Sequence, residues 1–188
     1  MLAGVALAVG AAECLHVLGA NGSGKTTLLR LLTGLLTPER GRVEWGGQSI
    51  LADRDAWHAS FSYLAHSDGL KPELTAHENL AFEVGLRRTL RPGEADDALG
   101  QVGLAAERDQ PAGFLSAGQR RRLAIARVLL AAAPLWILDE PYTNLDAAGS
   151  VLVSEVIGRH LDAGGAAILA AHQPPAIPRH VPRRLELA

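Results

Sequence analysis

A glycine-rich stretch near the start of the chain carries the residue types that bind phosphate. Its sequence, Gly-Ala-Asn-Gly-Ser-Gly-Lys-Thr, fits the pattern of a phosphate-binding loop (P-loop) in full. Glycines allow successive backbone N–H groups to turn toward one anion, and the positive end of the following helix adds to the attraction. We expect a nucleotide to be bound by Gly19, Ala20, Asn21, Gly22, Ser23, Gly24, Lys25, Thr26 and Thr27.

Three side chains of this loop have separate expected tasks. Lys25 supplies a mobile positive charge for the β- and γ-phosphates of ATP, and it is conspicuous because Lys71 is the only other lysine. Thr26 offers a hydroxyl to Mg²⁺, and Thr27 can reach the α-phosphate. The alternative is an ordinary glycine-rich turn before a helix, and the Lys-Thr pair disfavours it.

A P-loop also needs a carboxylate for Mg²⁺ at the end of a neighbouring strand. The sequence Leu-Trp-Ile-Leu-Asp-Glu provides one, because its apolar residues 135–138 predict a buried strand that ends in acid. Adjacent strand residues point to opposite faces, so we expect different tasks for the two carboxylates. Asp139 is predicted to hold Mg²⁺, through water, and Glu140 to act as general base on an attacking water. Two solvated carboxylates in an acidic turn are the alternative.

The elements that must position these residues alternate between apolar strands and helices. This alternation predicts an α/β fold of the P-loop NTPase type with a mainly parallel, doubly wound sheet. A Gly-Gly turn between alternating residues in 41–50 predicts a small antiparallel hairpin. Strands are predicted at 13–18, 60–64, 135–138 and 166–171, with one more short strand near the end. Helices are predicted at 25–36, 116–130 and 151–161.

Composition limits the classes of protein that remain. A length of 188 residues suits one domain over 1–188, and a net charge of −2 gives no basic field for nucleic acid. The single cysteine, Cys14, excludes an intrachain disulfide and a cysteine cage for metal. The opening residues lack the basic segment of a signal peptide, and no apolar run suits a membrane span. We expect a cytosolic protein.

A capping-box pattern at Ser116–Gln119 predicts the start of a helix with small residues in its first turn. Such a helix start offers N–H donors to a second phosphate-binding surface. Three arginines, Arg120, Arg121 and Arg122, follow at once. We interpret them as a solvated helix face or interface charges in preference to a nucleic-acid patch.

From Phe114 to Asp146 the sequence resembles the nucleotide-binding subunit of an ABC transporter. Ser116–Gln119 resembles the signature motif, with Ala117 in place of its first glycine, and 143–146 resembles the D-loop. His172, after the last predicted apolar strand, resembles the switch histidine. These motifs occur in family order over most of the chain.

The resemblance implies a Mg²⁺-dependent ATPase with a helical subdomain inserted at about residues 66–127. It also implies a nucleotide-dependent homodimer, in which the signature of one subunit covers the ATP that the other subunit holds. The residues implicated in that contact are Ser116, Ala117, Gly118, Gln119 and Asp146. His172 is implied as a catalytic residue, and so is His66, which stands where the family usually has glutamine.

Within the family, the chain is most similar to the ATP-binding subunit of the heme exporter of cytochrome c biogenesis. The similarity lies in residues 63–82, in the alanine-containing signature, and in the His-Gln-Pro segment at 172–174. It implies integral membrane subunits as partners and a peripheral location on the cytoplasmic face of the bacterial inner membrane. We expect no nucleic-acid partner, because the net charge is −2. We also expect no direct heme site, because no Cys-X-X-Cys-His sequence is present.

Three alternatives remain at this point. The chain could be an ABC subunit for a different cargo, which the sequence itself does not specify. A soluble ABC ATPase of the DNA-repair type would need long coiled-coil insertions or zinc modules. A P-loop kinase leaves the signature, the D-loop and His172 unexplained.

Overall fold

A five-stranded parallel sheet forms the centre of the protein in the computed structural model, which describes residues 3–86 and 88–187. Its strands are β1 (Cys14–Leu18), β4 (Phe61–Leu64), β5 (Leu135–Asp139), β6 (Ala166–Ala170) and β7 (Arg183–Glu186). Their order across the sheet is β4-β5-β6-β1-β7, and each neighbouring pair is parallel. The carboxyl ends of β1 and β5 therefore lie on the same edge of the sheet, on either side of β6, which is where ligands bind in open α/β sheets.

A second, two-stranded sheet is formed by β2 (Glu44–Trp45) and β3 (Gln48–Ser49), which pair in antiparallel fashion. Gly46 and Gly47 connect the two strands, with φ angles of 57° and 80° that favour glycine. The predicted hairpin within 41–50 is therefore confirmed.

In the part of the chain that the structure describes, six α-helices surround the sheet on both faces. They are α1 (Lys25–Leu32), α2 (Arg54–Ser60), α3 (Ala76–Gly85), α4 (Glu94–Gln101), α5 (Ala117–Leu130) and α6 (Ala147–Asp162), with a 3₁₀ turn at Ala112–Phe114. Along β5, Leu135 and Ile137 join the core under α1 and α2, whereas Trp136 and Leu138 join the core under α3 to α6. This period of two buries both faces of the strand, so the predicted doubly wound α/β fold is confirmed.

Helices α3, α4 and α5 pack against one another beside the sheet. Thr75 caps α3 with a complete capping box, in which Thr75 accepts from the Glu78 amide and the Glu78 carboxylate accepts from the Thr75 amide. The three helices lie mostly within the predicted helical subdomain at about 66–127, whose division from the rest of the chain stays a prediction. None of the helices in the described residues is long and apolar enough to cross a membrane.

Some predicted boundaries were wrong. Helix α1 ends at Leu32 and not at 36, because Gly34 adopts the left-handed conformation with φ 78° that stops a helix, and Leu35 is left 65% exposed. Helix α2 was not predicted, although the Asp53 side chain caps it by accepting from the Ala56 amide. Helix α6 begins at Ala147, four residues before the predicted start, because the side chain of the preceding residue caps it.

Candidate active site

The loop between β1 and α1 has the backbone geometry of an anion-binding turn. Gly22 and Gly24 have φ angles of 85° and 99°, which glycine adopts without strain. Gly24 is the N-cap of α1, and no side chain caps this helix. The first turn of α1 is therefore left open to an external acceptor. At Gly19 a Cβ atom would lie 2.3 Å from the Ser23 hydroxyl, so the loop's close packing requires glycine there.

The Lys25 side chain folds back along this loop. Its Nζ donates to the carbonyl oxygens of Gly19 at 2.8 Å and Ala20 at 3.2 Å. These contacts place the ammonium group beside the predicted phosphate-binding loop. The geometry suits a charge that reaches the outer phosphates of a nucleotide.

Thr26 and Asp139 are brought together from distant parts of the chain. The Thr26 hydroxyl donates to Asp139 Oδ2 at 2.9 Å, and Asp139, the last residue of β5, is only 1% exposed. A hydroxyl oxygen and a carboxylate oxygen are hard donors that suit Mg²⁺. The described residues contain no group of three or more His, Cys, Asp or Glu side chains that could hold a metal ion. Mg²⁺ would therefore take most of its ligands from phosphate and water, as it does in nucleotide sites.

Glu140 follows β5 in an uncommon backbone conformation. Its φ of 53° lies in the left-handed region, and its N–H donates to the Ala170 carbonyl at 2.8 Å. The Glu140 side chain is 14% exposed, and its Oε1 lies 3.5 Å from Nε2 of His172, which is 59% exposed. The carboxylate is thus sheltered, while the imidazole remains accessible beside it.

One cavity of about 380 Å³ collects most of the predicted catalytic and phosphate-binding residues. His66 reaches it from the segment after β4. Its lining residues are Asn21, Gly22, Gly24, Lys25, Thr26, Thr27, His66, Asp139, Glu140 and His172. Most of the predicted phosphate-binding and catalytic residues, distant in sequence, therefore lie around one cavity.

The predicted signature residues do not line that cavity. The Ser116 hydroxyl accepts from the Gln119 amide at 3.2 Å, and Gln119 Oε1 accepts from the Ser116 amide at 2.8 Å, which confirms the capping box. Gly118 packs so closely on the Asn144 carbonyl that a Cβ atom would lie 2.8 Å from its oxygen. Asp146 caps α6 by accepting from the Gly149 amide at 2.7 Å. Contacts of Ser116, Gly118 and Asp146 with a second subunit's nucleotide stay predictions.

The interpretation of Arg121 was wrong. Its side chain is 2% exposed and donates to the carbonyl oxygens of Asp139 and Glu140, so it belongs neither to a solvated face nor to an open interface. Helical spacing was the available signal, because Arg121 lies three and seven residues before the buried Ala124 and Val128 on one face of α5.

His16 was not among the predicted site residues. It lies on β1 with no exposed surface, and its Nε2 lies 2.9 Å from the Ala171 carbonyl, next to His172 in the chain. Burial lowers the pKa of His16, and the hydrogen bond to Ala171 opposes this effect. On β4, burial raises the pKa of the Tyr63 hydroxyl, and the nearby Asp139 carboxylate adds to the effect.

Residues 2–143 match the family described as ABC transporter. The chain belongs to the ABC transporter family. It is an ABC-type ATPase that binds ATP, and the recognition made from the P-loop, signature and D-loop residues is confirmed.

Two similar curated relatives of this ABC protein carry the same name. It is 51% identical over 162 residues to the cytochrome c biogenesis ATP-binding export protein CcmA of Nitrosococcus oceani, covering 85% of this chain and 73% of the relative. It is 42% identical over 187 residues to the CcmA protein of Escherichia coli K12, covering 100% of this chain and 89% of the relative. The similarity to this group within the family, expected from residues 63–82 and 172–174, is confirmed.

Solved structures show the same fold for the ABC domain. An ATP-binding subunit of an ABC transporter superposes with a TM-score of 0.84 at 24% identity, covering 96% of this chain and 77% of the other. A dimeric ATP-binding cassette in a post-hydrolysis state, bound to ADP and Pi, superposes with a TM-score of 0.79 at 24% identity, covering 89% and 78%. The predicted fold class is confirmed by both.

Proposed function

We propose that the chain is the ATP-hydrolysing subunit of the heme exporter of cytochrome c biogenesis. The observation that carries the proposal is the similarity along nearly the whole chain to proteins named as cytochrome c biogenesis ATP-binding export proteins. The cavity that unites the P-loop with two carboxylates and two histidines supports the chemical part of the proposal.

The P-loop binds the phosphates of ATP in this proposal. Backbone N–H groups of residues 19–24 and the open start of α1 surround the β-phosphate, and Lys25 exchanges its two carbonyl contacts for phosphate oxygens. Thr27 reaches the α-phosphate. Binding therefore rests on backbone dipoles and one mobile cation.

Thr26 and Asp139 would hold Mg²⁺, Thr26 directly and Asp139 through water. Their oxygens are already 2.9 Å apart, so little rearrangement is needed to face a common ion. When bound, Mg²⁺ neutralises charge on the β- and γ-phosphates and thereby assists phosphoryl transfer.

Glu140 accepts a proton from the water that attacks the γ-phosphate. Its carboxylate is sheltered at the cavity edge, where a base is shielded from bulk solvent. His172, whose Nε2 lies 3.5 Å from Glu140 Oε1, and His66, which lines the same cavity, would contact the same water or the γ-phosphate. The water oxygen bonds to the γ-phosphorus, the bond to the bridging oxygen breaks, ADP leaves, and Glu140 takes the proton.

Two subunits close around ATP in the proposed cycle. Ser116, Ala117, Gly118 and Gln119 of one subunit, with Asp146, would cover the nucleotide in the other subunit's P-loop. Loss of the γ-phosphate removes the shared contact and reopens the pair. Integral membrane subunits of the exporter would receive this motion, with the ATPase on the cytoplasmic face of the bacterial inner membrane.

A genetic experiment tests the cargo. Deletion of the gene should abolish mature c-type cytochromes, measured by heme staining of membrane fractions. Wild-type chain should restore them, Glu140→Gln should not, and the exposed Glu155→Gln on α6 should restore them as a matched control. Normal c-type cytochromes in the deletion strain would instead support an ABC subunit for another cargo.

A biochemical experiment tests the ATPase cycle independently of cargo. The purified Glu140→Gln protein should bind ATP and accumulate as a dimer in its presence, while its turnover falls by about 100-fold or more. Size-exclusion chromatography with light scattering measures the dimer. Wild-type turnover in this variant would show that Glu140 is not the base, and stimulation of the wild type by DNA would support the DNA-repair alternative.

A further inference from the structure

One buried arginine connects three segments that surround the nucleotide cavity. Arg121 lies in the second turn of α5, the helix whose first turn carries the signature residues 116–119. Its Nη2 donates to the carbonyl of Asp139 and, at 2.8 Å, to that of Glu140. Its Nη1 donates to the Ala65 carbonyl at 3.0 Å and lies 3.1 Å from Asp68 Oδ1. A single guanidinium thus joins α5 to the ends of β4 and β5.

Burial of the Arg121 guanidinium is costly in free energy, so its hydrogen bonds and its ion pair must compensate for the loss of water. A guanidinium cannot lose its proton, so it is buried favourably only where acceptors surround it in the correct geometry. Its side chain is 2% exposed, and the Asp68 carboxylate supplies the opposite charge. The planar fork of arginine addresses several acceptors at once, which the point charge of lysine cannot do.

The two carbonyls that accept from Arg121 Nη2 belong to Asp139 and Glu140, the proposed Mg²⁺ ligand and the proposed general base. β5 ends at Asp139, and the chain then enters the left-handed conformation at Glu140, with φ 53°. A non-glycine residue in that conformation is strained and keeps it only where its surroundings hold it. Arg121 binds the carbonyl on each side of this turn, while the Glu140 amide is held by Ala170. The direction of the Glu140 carboxylate therefore depends on contacts behind it.

We propose that Arg121 is a positioning residue for hydrolysis, which holds the Glu140 carboxylate toward the cavity and fixes it relative to the signature end of α5. Within the described residues the guanidinium forms no hydrogen bond with a cavity-lining side chain, and it acts through the backbone carbonyls of Asp139 and Glu140. Its contact with Ala65 also fixes the residue before His66. This inference rests on the proposed role of Glu140 as base.

The decisive measurement separates turnover from nucleotide binding in the whole purified chain. Arg121→Met should lower kcat by roughly tenfold or more and change the dissociation constant for ATP by less than about threefold. Arg121→Lys retains the charge and part of the hydrogen bonding, so its kcat should lie between those of Arg121→Met and wild type. A purely structural role would instead lower the melting temperature without this separation or this graded recovery.

The next residue supplies a matched control. Arg122 donates to the carbonyls of Val102 at 2.7 Å and Gly103 at 2.9 Å, away from β4 and β5. Arg122→Met removes the same side chain from the same helix, and it should leave both kcat and ATP affinity within about twofold of wild type. An equal loss of kcat in Arg121→Met and Arg122→Met would overturn the inference.

A double variant shows whether Arg121 acts through Glu140. In a Glu140→Gln background, adding Arg121→Met should lower the residual turnover by less than about twofold, because the group that it positions is already gone. A further loss as large as in the wild-type background would overturn the inference. So would wild-type kcat in Arg121→Met, or equal losses of kcat and ATP affinity.

Failure of the variant to fold would not remove the test. If Arg121→Met shows no cooperative melting, Arg121→Lys decides: lowered kcat with unchanged ATP affinity supports the inference, and wild-type kcat overturns it. Failure of the proposed function is distinguishable. Wild-type turnover in Glu140→Gln refutes the base itself, whereas an inactive Glu140→Gln beside a fully active Arg121→Met refutes only the positioning.

Discussion

The starts of α1 and α5 are both candidates for holding phosphate, yet they are built in opposite ways. Helix α1 begins after Gly24, with φ 99° and no side-chain cap, inside the nucleotide cavity. Helix α5 begins after Ser116, whose side chain and that of Gln119 complete a capping box. The first helix start is open to an anion, and the second already satisfies amides with its own side chains.

The capping box itself does not make α5 a nucleotide site. Helix α3 carries the same box, formed by Thr75 and Glu78. Two further features distinguish the start of α5: the close contact of Gly118 with the Asn144 carbonyl, and the buried Arg121 one turn later. The start of α1 therefore lines the cavity of its own subunit, whereas the start of α5 is linked through Arg121 to the end of β5, and its contact with a second subunit's nucleotide stays a proposal.

Lys25→Ala should have the largest effect, and it would act on the α1 site alone. Loss of the ammonium group removes the only mobile cation of the P-loop, so ATP affinity should fall by about 100-fold or more. Isothermal titration calorimetry measures it. Lys71→Ala removes the other lysine, which lies over the Phe82 ring, and should bind ATP normally. Retained affinity in Lys25→Ala would contradict the assignment of α1 as the primary site.

Gly118→Ala should change hydrolysis without changing ATP binding, and it therefore distinguishes the function of the α5 start from that of the α1 start. The added Cβ would lie 2.8 Å from the Asn144 oxygen, so either α5 or the segment before α6 must shift. ATP binding to the P-loop should stay within about twofold of wild type, while steady-state hydrolysis falls by roughly tenfold. Gly100→Ala on α4 is the matched control, because nothing lies within 4 Å of its Cβ position. Equal hydrolysis by Gly118→Ala and Gly100→Ala would show that this contact is unimportant.

Much of this comparison could be predicted from the sequence because its signals are local. The P-loop spacing, the capping box at Ser116–Gln119 and the apolar strand before Asp139 each occupy fewer than ten or so residues, where neighbouring side chains and backbone decide the structure. Four of the sheet strands were predicted for the same reason, since each is a short, predominantly apolar segment. The parallel direction of the strands followed from the alternation of strands and helices.

The remainder depended on contacts between distant residues. Helical spacing could have placed Arg121 on the buried face of α5, but the carbonyls at 65 and 139–140 that accept from its guanidinium are distant in sequence, and no local pattern reveals them. Helix α2 has only seven residues and several polar ones, so its periodicity is weak, and packing of Trp57 into the core supports it. Leu35 looked like part of a helical face, but the helix had already ended.

Ser116→Ala and Thr75→Ala should cost similar stability but differ in function. Each removes one capping box, so each should lower the free energy of unfolding by about 1 kcal/mol, measured by urea denaturation. Only Ser116→Ala should also lower hydrolysis, by a few-fold, because its hydroxyl is predicted to face a second subunit's nucleotide. Loss of hydrolysis in both variants would attribute the effect to helix stability alone.

The smallest effect concerns the contact between His160 on α6 and the central sheet. Burial lowers the pKa of His160 below its ordinary value of 6.5, while hydrogen bonds to Ala166 and Pro134 oppose the shift. Its ring stacks on Trp136 of β5 at 3.9 Å between centroids. The unfolded chain therefore binds more protons than the native state just below pH 6.5, so the free energy of unfolding falls as the pH drops through this range.

His160→Gln should reduce this dependence on pH. Between pH 7.5 and 5.5, the melting temperature of the wild type should fall by more than that of the variant, which has one buried histidine fewer to protonate on unfolding. The variant should melt lower at pH 7.5, because it loses the stacking contact with Trp136. Its ATP affinity at pH 7.5 should match that of the wild type, because His160 lies outside the nucleotide cavity. Parallel melting curves against pH would show that another group causes the acid sensitivity, whereas a change in ATP affinity would show that the sheet transmits the loss of this contact to the start of α1.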